Sequence, residues 1–490
     1  MIMNKIIISI LVAVAAVVTV FMIPSCGDPR PSKEDIEAAI SDGQIPEDQY
    51  IELFRAYLDY NNMDAAVLDQ YLEGNQDDID LESLKETEEK FHEYLLATLD
   101  NEDVVVNRIS WPKELPVAVS IYLDNTSSMK GYLQPADKSV SVTAITDVMN
   151  GIKGYFDTEV PFGAWYVSRD KDQKCKLTEV EFEKMLTNVG NKTIQTQDAY
   201  PMDEFIGEIV NTCIADSAHS HVSFFITDGI PSGTNQEIGK DPSFNINQRN
   251  TLERRINEKL DKAKELGYGL SIYQFMGNFD GTYINYANKA TLLKQVKRPF
   301  YVIAIGDKNV LKKMADKVKA DDVDSFKPVN SLHAFRQVGT PSVTIEEVKG
   351  AETGETYPVE NGGTVKTDDK YNVALRIEGV PEFLNDTATL NRGALDIRPK
   401  PLQSVDVIDG MVKVPGRNLK ETTTMGVQVV YVTPAWVSDS NSEDDTDINS
   451  QLGKTFNLEV LVDGLLKGVS GISGNSIGEK VEFSVEPETK

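Results

Sequence analysis

Two apolar runs in this 490-residue chain each end abruptly in side chains that carry oxygen. The run VAVSIYL is followed by Asp124, Thr126 and Ser128, which place one carboxylate and two hydroxyls at alternate positions. Further along, the run VSFFIT is followed by Asp228. Carboxylate and hydroxyl oxygens are the ligands that hard divalent cations prefer. This set of residues therefore predicts a divalent-ion site rather than covalent catalysis.

One shared site requires the two loops to meet at the same edge of a sheet. From residue 114 onward, short apolar strands alternate with amphipathic helices: PVAVSIYL, SVTAITDVMNGIKGYF, FGAWYVS, PMDEFIGEIVNTCIA, HVSFFIT, TLERRINEKLDKAKELG, YGLSIYQFM, PFYVIAIG and KNVLKKMADKVKA. This order predicts a parallel sheet covered on both faces. Ligands bind such sheets beyond the carboxyl ends of the strands, where we expect Asp124 and Asp228 to lie.

The strand followed by the pattern Asp-x-Thr-x-Ser, and the later strand that closes in TDG, resemble the von Willebrand factor A (vWA) domain with its metal-ion-dependent adhesion site. The resemblance covers residues 114–322 and implies a Rossmann-like α/β fold with a mostly parallel sheet. It also implies that Mg²⁺, or alternatively Mn²⁺ or Ca²⁺, is bound directly or through water by four residues: Asp124, Thr126, Ser128 and Asp228.

In the vWA family a threonine from a second loop contacts the ion as well. The resemblance assigns this role to Thr196, in the segment NKTIQTQDAYPMDEF, with Thr193 as the alternative. The chain departs from the family motif at Thr126, where the family has Ser, and at Ser127, where Gly is frequent. The insertion MKGYLQPADK is longer than the family norm, and we expect it to form a rim whose Tyr132 and Leu133 either contact a partner or pack locally.

The sequence offers no convincing set of residues for an enzyme. Nucleophilic hydrolysis needs a base beside the nucleophile, but the four histidines are scattered along the chain: His92, His219, His221 and His333. We expect His219 and His221 at the edge of the sheet opposite the ion, exposed to solvent. Asp198 and Asp307 are the bases expected nearest to the ion. The pattern GxxxxGK[ST] of phosphate-binding loops does not occur.

The first 26 residues are typical of a secretory signal, because Lys5 precedes the apolar run IIISILVAVAAVVTVFMI and small residues follow it. Cys26 stands where bacterial lipoproteins carry their lipidated cysteine, and this resemblance implies a lipid anchor at the bacterial cell envelope. An uncleaved membrane-spanning segment is the alternative. Residues 27–105 then show helical patterns such as DQYIELFRAYLDY and ESLKETEEKFHEYLLATL, which predict a helical N-terminal region.

After residue 338, segments such as SVTIEEV, YNVALRIEG, MGVQVVYVT, TFNLEVLV and KVEFSVEP alternate apolar and polar residues. We therefore expect residues 338–490 to form an all-β region, as one or two immunoglobulin-like sandwich modules. The acidic stretch SNSEDDTDINS, residues 440–450, is expected to be a solvated connection rather than a calcium loop.

The formal net charge of -28 argues against nucleic-acid binding, because a phosphate backbone requires clustered Lys and Arg. The sequence thus predicts a lipid-anchored envelope protein that binds a protein partner through the ion, in adhesion or complex assembly. The resemblance implies that an acidic residue of the partner completes the coordination shell. A metal-dependent envelope hydrolase, or a protein that binds glycans through its β modules, is the alternative.

Overall fold

The computed structural model divides the chain into two compact units, residues 1–113 and 114–490. It describes residues 30–41, 43–72, 79, 81–99, 104–109, 111, 115–156, 158–170, 175–197, 201–230, 246–285, 289–335, 342–350, 355–357, 362–367, 371–401, 403–408, 411–416, 420–472 and 476–487. The expected signal segment and Cys26 lie outside these residues. Across the described ranges, none of the helices has the length and apolar character needed to span a bilayer.

The first unit is helical, as the sequence predicts. Its elements are α1 (Lys33–Ala38), β1 (Gln44–Ile45), α2 (Glu47–Tyr60), α3 (Ala66–Leu72), α4 (Leu81–Thr98) and β2 (Val105–Val106). The Ser32 side chain caps α1 by accepting a hydrogen bond from the Asp35 amide. Apolar positions three and four apart bury Tyr50, Phe54 and Phe91 in a common core.

A seven-stranded sheet dominates the second unit. Its strands are β3 (Val117–Asp124), β4 (Phe162–Arg169), β5 (Cys175–Glu179), β6 (Ser220–Thr227), β7 (Gly269–Ile284), β8 (Ala290–Gly306) and β9 (Asn330–Ala334). They lie side by side in the order β5-β4-β3-β6-β8-β7-β9. The helices of this part are α5 (Lys130–Leu133), α6 (Thr143–Tyr155), α7 (Phe182–Gly190), α8 (Met202–Ala215), α9 (Ile246–Lys259), α10 (Asp261–Glu265) and α11 (Lys308–Lys319).

The sheet is mixed, which corrects the expectation of a mostly parallel one. Strands β4, β3 and β6 run parallel, whereas β8 pairs antiparallel with both β6 and β7. The cause lies between Gly269 and Gly306, where only residues 285–289 separate two consecutive strands. Strands joined by a short turn must pair antiparallel, whereas parallel neighbours need a crossover connection.

Helices cover both faces of the sheet, as the continuous apolar strands predict. Alternate residues of β3 and β6 belong to two different cores. One core contains Ile121 and Phe224 together with side chains of α6, α7 and α11. The other contains Tyr122 and Phe225 together with side chains of α8 and α9. The strand ends are therefore held rigidly from both sides.

The β7–β8 hairpin is much longer than its neighbours. Strand β6 pairs only with the Tyr301–Gly306 part of β8, and β9 pairs only with the Leu270–Gln274 part of β7. Because Thr227, the last residue of β6, pairs with Tyr301, the rest of the hairpin extends past the carboxyl end of β6. The hairpin thus projects at the same edge of the sheet as Asp124 and Asp228.

The described part of the C-terminal region contains two larger sheets and one two-stranded sheet. The larger sheets are built from β10 (Ser342–Gly350), β11 (Thr356–Tyr357), β12 (Thr364–Thr367), β13 (Tyr371–Glu378), β14 (Leu395–Arg398), β15 (Asp406–Ile408), β16 (Met411–Pro415), β17 (Thr423–Val430) and β20 (Ser476–Pro487). The two-stranded sheet consists of β18 (Asn441–Ser442) and β19 (Thr455–Phe456). The orders of the larger sheets are β11-β10-β13-β16-β15 and β12-β20-β17-β14. Both contribute to one buried core, and their description as immunoglobulin-like sandwich modules stays a prediction.

This region is not all-β, because it contains helices α12 (Thr387–Thr389), α13 (Ala435–Ser440) and α14 (Leu458–Ser470). The segment TFNLEVLV, expected to be a strand, instead enters α14. That helix is apolar on nearly every side and buried, and periodicity cannot separate a buried helix from a buried strand over so short a run. Gly464 and Gly468 bring α14 against Ile256 of α9 and against Leu260, which lies between α9 and α10.

Candidate metal site

The candidate site begins where two neighbouring parallel strands end. Strands β3 and β6 pair in register up to Leu123 and Ile226, so Asp124 follows at one strand end and Asp228 lies just past the other. Both carboxylates are buried. The apolar runs that precede them fix this placement, because each run fills a strand covered on both faces and leaves its polar residues at the sheet edge.

Both oxygens of Asp124 accept hydrogen bonds. The Thr126 amide donates to Oδ1 over 2.9 Å, and the Thr227 hydroxyl donates to Oδ2 over 2.9 Å. The first bond folds the chain back directly after β3, and the second joins β3 to β6. The orientation of Asp124 is therefore fixed by groups on both strands.

The two hydroxyls of the first loop connect Asp124 to Asp228. Thr126 Oγ1 lies 3.0 Å from Ser128 Oγ, and the Ser128 hydroxyl is close enough to Asp228 to lower the pKa of that carboxyl. The Ile230 amide also donates to Asp228 Oδ1 over 3.1 Å. The structure thus brings together four of the five residues that the sequence assigned to the ion.

Thr196, the fifth, lies on a segment docked beside the first loop. The Gln197 amide donates to the Asn125 carbonyl over 2.9 Å, and the Ser127 hydroxyl donates to the Gln197 carbonyl over 3.0 Å. Thr196 is half-buried next to these bonds. The alternative, Thr193, donates its hydroxyl to the Asn188 carbonyl over 3.2 Å and is used locally at the end of α7.

The electrostatics of the site leave negative charge poorly compensated. Burial raises the pKa of Asp124, and the nearby charge of Asp228 raises that pKa further. Burial raises the pKa of Asp228 too, although the Ser128 hydrogen bond and the positive charge of Arg298 act in the opposite direction. Like charges close together in a buried site repel strongly, so a bound cation would stabilise the pair.

Arg298 was not anticipated from the sequence. It lies on β8, is only 2% exposed, and stacks 4.7 Å from the centre of the Tyr283 ring. Its Nη2 donates to the Lys454 carbonyl over 3.4 Å, whereas Nη1 has no hydrogen-bond partner within the described part of the chain. A single Arg in an exposed-looking run, QVKRPF, gives no signal of burial. Its charge nevertheless lies within reach of Asp228.

The acidic stretch 440–450 contributes to the walls of this region, which corrects its description as a solvated connection. Ser442, Asp445 and Ile448 are buried, and Tyr283 donates its hydroxyl to Asp445 Oδ2 over 2.6 Å. Ile448 joins the same core as strand β3. The stretch therefore packs against the α/β part instead of lying in solvent.

The insertion after Ser128 packs locally. Tyr132 and Leu133 are both buried, and the Tyr132 hydroxyl donates to the Pro299 carbonyl over 2.6 Å. The Asp137 amide donates to Asp280 Oδ2 over 2.6 Å. Of the two outcomes expected for Tyr132 and Leu133, the structure therefore shows contact with the hairpin rather than exposure to a partner.

A serine, a histidine and an aspartate form a hydrogen-bonded chain elsewhere in the sheet. Ser120 Oγ lies 2.9 Å from His221 Nε2, and His221 Nδ1 lies 3.0 Å from Asp216 Oδ2. This is the order of groups in a nucleophilic triad, but Ser120 is only 1% exposed, so a substrate cannot reach its hydroxyl. His221 is buried, contrary to the expectation of solvent exposure, whereas His219 is partly exposed.

Of the two bases expected near the ion, the structure describes only Asp307. Asp307 accepts hydrogen bonds from the Asn309 and Val310 amides and caps α11. Its own amide donates to the His221 carbonyl, which places it at the opposite end of β6 from the ion. Asp198 lies outside the described residues. The expectation that Asp307 stands close to the ion is therefore wrong.

The donor chemistry fits a hard cation only if hydroxyl oxygens take part. Within the ranges that the structure describes, no three carboxylate, imidazole or thiol side chains converge as a metal-binding group. The site instead offers two carboxylates and the Thr126 and Ser128 hydroxyls. Asn125, next to Asp124 in the chain, has a buried Oδ1 with no hydrogen-bond partner among the described residues. Mg²⁺ and Ca²⁺ accept such neutral oxygens readily.

Comparisons with known proteins are sparse. No protein-family model matches the chain, and no curated protein matches it either. Among solved structures, a weak neighbour is a von Willebrand factor type A protein from Catenulispora acidiphila, with 8% sequence identity and a TM-score of 0.17. The match covers 55% of this chain and 63% of that protein, so the chain spans less than two thirds of its length. A similarity this low supports no statement about the function of this chain.

Proposed function

We propose that this chain binds a divalent cation at the ends of β3 and β6 and uses the cation to hold a protein partner. Mg²⁺ is the cation we favour, with Mn²⁺ and Ca²⁺ as alternatives. The observation that carries the proposal is the meeting of two buried carboxylates, Asp124 and Asp228, with the Thr126 and Ser128 hydroxyls between them. Without a counter-ion, this arrangement is costly to bury.

The residues at the site have distinct parts in this proposal. Asp124 and Asp228 would hold the cation through carboxylate oxygens, and Thr126 and Ser128 through hydroxyls. Thr196 would approach from the neighbouring segment. When bound, the cation supplies a positive centre that a carboxylate of the partner can complete with a charge-assisted bond. The chain's own residues orient the cation and keep its inner side away from water.

We place the protein at the bacterial cell envelope, anchored through lipidated Cys26, with a role in adhesion or complex assembly. The apolar run before Cys26 supports this placement. A metal-dependent hydrolase and glycan binding through the C-terminal strands have no specific observation in their favour within the described residues. The Ser120 hydroxyl, which could have supported a hydrolase, is inaccessible.

The test measures metal binding to the chain from residue 27 to 490, which retains every described residue. Isothermal titration with MgCl₂ and MnCl₂ should show one site in the unaltered protein. Asp124→Ala should weaken binding by about tenfold or more, since about 1.4 kcal/mol of binding free energy corresponds to a factor of ten. Asp147→Ala removes an exposed carboxylate of α6 and should leave the affinity unchanged.

Ser128→Ala provides a second reading if Asp124→Ala does not fold, because Ser128 is only half-buried. Partner binding is then followed by co-purification from the envelope fraction with and without EDTA. Equal metal affinity in the unaltered protein, Asp124→Ala and Ser128→Ala would refute the proposal. So would a partner that remains bound in EDTA.

A further inference from the structure

The projecting part of the β7–β8 hairpin has one buried face and one exposed face. Ile284 pairs with Ala290, and Thr282 pairs with Leu292. Directly opposed residues of antiparallel strands point to the same face, so these four side chains share one surface. Ile284 is 55% exposed and Leu292 is 58% exposed. Two large aliphatic side chains thus stand next to each other in solvent.

Lysines flank this aliphatic pair on the same face. Lys294 and Lys297 follow Leu292 along β8 and are exposed, and Lys289, which directly precedes the strand, is exposed as well. The strand shifts register between Phe279 and Gly281, which keeps Lys294 and Lys297 outward. No ion pair joins any of the three lysines to another residue of the described chain.

Among the described residues of the two hairpin strands no acidic side chain is exposed, although the exposed Asp137 borders the face and accepts a hydrogen bond from Gln295 Nε2 over 3.0 Å. Asp280, the carboxylate of this part of β7, is buried and accepts hydrogen bonds from the Asp137 and Gln295 amides. The exposed hairpin surface is therefore apolar and basic, on a chain whose net charge is -28. Exposed lysines beside an exposed aliphatic pair favour an acidic binding partner.

The other face of the hairpin is firmly seated. Tyr283 hydrogen-bonds Asp445, Arg298 stacks on Tyr283, and Phe279 packs edge-on against Tyr132. Gly131 lies so close to the Phe279 ring that a Cβ there would meet its atoms at 2.4 Å. The hairpin is therefore a fixed support that presents its outer face without rearrangement, which limits the entropy lost on binding.

We propose that the outer face of this hairpin, formed by Ile284, Leu292, Lys294 and Lys297, docks an acidic and partly aliphatic segment of a protein partner. The inference rests on the proposed function for one point only: the same partner supplies the carboxylate that reaches the cation. The hairpin projects at the edge of the sheet that carries Asp124 and Asp228, so a single partner can contact both. In this proposal, the aliphatic side chains of the partner cover Ile284 and Leu292, and the carboxylates of the partner pair with Lys294 and Lys297.

The positive charges of the lysines and the cation also reduce the electrostatic repulsion between an acidic partner and this chain. An acidic partner approaching a chain of net charge -28 meets long-range repulsion. A locally basic hairpin beside a bound cation offers a favourable approach, and electrostatic complementarity of this kind acts mainly on the association rate and the choice of partner. An anionic bilayer is a poorer match, because its extended surface would face the acidic remainder of the protein.

The test uses a phage-displayed library of random dodecapeptides as the probe, selected on residues 27–490 in the presence of MgCl₂. We expect enrichment of peptides that combine Asp or Glu with aliphatic residues. Affinities of the selected synthetic peptides are then measured by fluorescence anisotropy for Ile284→Ser with Leu292→Ser, and for Lys294→Glu with Lys297→Glu. Each pair should weaken binding by about tenfold, which corresponds to about 1.4 kcal/mol.

Matched controls change the same residue types elsewhere on the surface. Ile408→Ser removes an exposed aliphatic side chain from β15, and Lys349→Glu with Lys366→Glu reverses two exposed lysines on β10 and β12. Both controls should bind the peptides like the unaltered protein. Equal affinity in the hairpin variants and the controls, or a library without an acidic–aliphatic family, overturns the inference.

The arms of the experiment separate this inference from the proposed function. If Asp124→Ala and EDTA leave peptide affinity unchanged while the hairpin pairs lose it, the hairpin docks the segment and the cation proposal fails. If Asp124→Ala and EDTA lower the peptide affinity and the hairpin variants do not, the cation proposal survives and the hairpin inference fails. Vesicles of phosphatidylcholine and phosphatidylglycerol give a third arm: binding that Lys294→Glu with Lys297→Glu abolishes, without peptide binding, would assign the face to membranes instead.

Discussion

The Thr227 hydroxyl, at the last position of β6, donates a 2.9 Å hydrogen bond to the carboxylate of Asp124, at the last position of β3. Thr227 is fully buried and directly precedes Asp228. Thr227 thus orients the Asp124 carboxylate through its side chain, and it positions Asp228 because the two residues are adjacent in the chain. The two strand ends are joined at the point where the cation is proposed to bind.

Replacing Thr227 by Val should weaken both the fold and the site. The change removes the hydroxyl while keeping the shape, so Asp124 loses a donor in a buried setting. An unsatisfied buried acceptor costs about 1–3 kcal/mol, and urea unfolding should show a loss of that size. Mg²⁺ affinity should fall as well, because Asp124 is no longer held in place. Thr227→Ser keeps the donor and should restore affinity; a Val variant with normal metal affinity would contradict this account.

Asp228→Asn should have opposite effects with and without metal. Removing one of two neighbouring buried charges relieves their repulsion, so the metal-free protein should melt at a higher temperature than the unaltered one. Added MgCl₂ should stabilise the unaltered protein and leave the variant unchanged, because bound ligand stabilises only a state that binds it. Differential scanning calorimetry with EDTA and with MgCl₂ measures both. A variant that is less stable in EDTA and still responds to Mg²⁺ would sink the prediction.

Arg298→Met should tighten metal binding. In the absence of metal, it should lower the free energy of unfolding. The guanidinium charge lies within reach of Asp228 and competes with any cation for it. Met fills a similar volume without charge, so titration calorimetry should show a several-fold lower Kd for Mg²⁺. Unfolding in EDTA should become easier, because Asp228 loses its positive neighbour. Arg298→Lys retains the charge and should keep the Kd of the unaltered protein, so a Lys variant that tightened binding equally would argue against competition by charge.

His333 should make stability depend on pH. Burial, followed by the charge of Lys319, lowers the pKa of His333 to about 4, below its usual 6.5. The unfolded chain then binds the proton more readily than the folded one, so the contribution to stability is complete above pH 6.5 and is lost as pH falls toward 4. Ser271 Oγ, 3.0 Å from Nδ1, and the carboxylates of Glu382 and Asp386 line the same surroundings.

The measurement compares urea unfolding of the unaltered protein with that of His333→Gln. Because part of the imidazole reaches solvent, we expect the unaltered protein to lose about 2 kcal/mol more than the variant between about pH 7 and about pH 4.5. Equal losses would show that His333 does not titrate differently in the folded and unfolded chain.

The strand ends of the candidate site could be predicted because their cause is local. An apolar run that stops at a carboxylate predicts both a buried strand and its polar end, so the positions of Asp124 and Asp228 at strand ends could be predicted from the sequence. The antiparallel pairing of β7 with β8 was not predicted. These two consecutive strands were treated like the strands that are separated by helices and therefore run parallel. Helix α14 was missed because a helix buried on nearly every side loses the amphipathic period that identifies a helix.

Other features depend on contacts between distant segments. Arg298 donates to the carbonyl of Lys454, 156 residues away along the chain, and Asp445 accepts from the Tyr283 hydroxyl, 162 residues away. A charge run such as SNSEDDTDINS has the composition of a solvated loop, and composition does not record which of its residues face another part of the chain. These long-range contacts had no local signal.

The close approach of α14 to α9 limits how this protein can be divided. At Gly468 a Cβ would stand 2.6 Å from Leu260, and at Gly464 one would stand 2.9 Å from Ile256. Helix α9 belongs to the α/β part, so the chain's last helix completes an interior that begins some two hundred residues earlier in the sequence. Cutting at residue 338 would leave α9 with an open apolar flank, and the α/β part is better regarded as one portion of an indivisible folding entity than as a transplantable module.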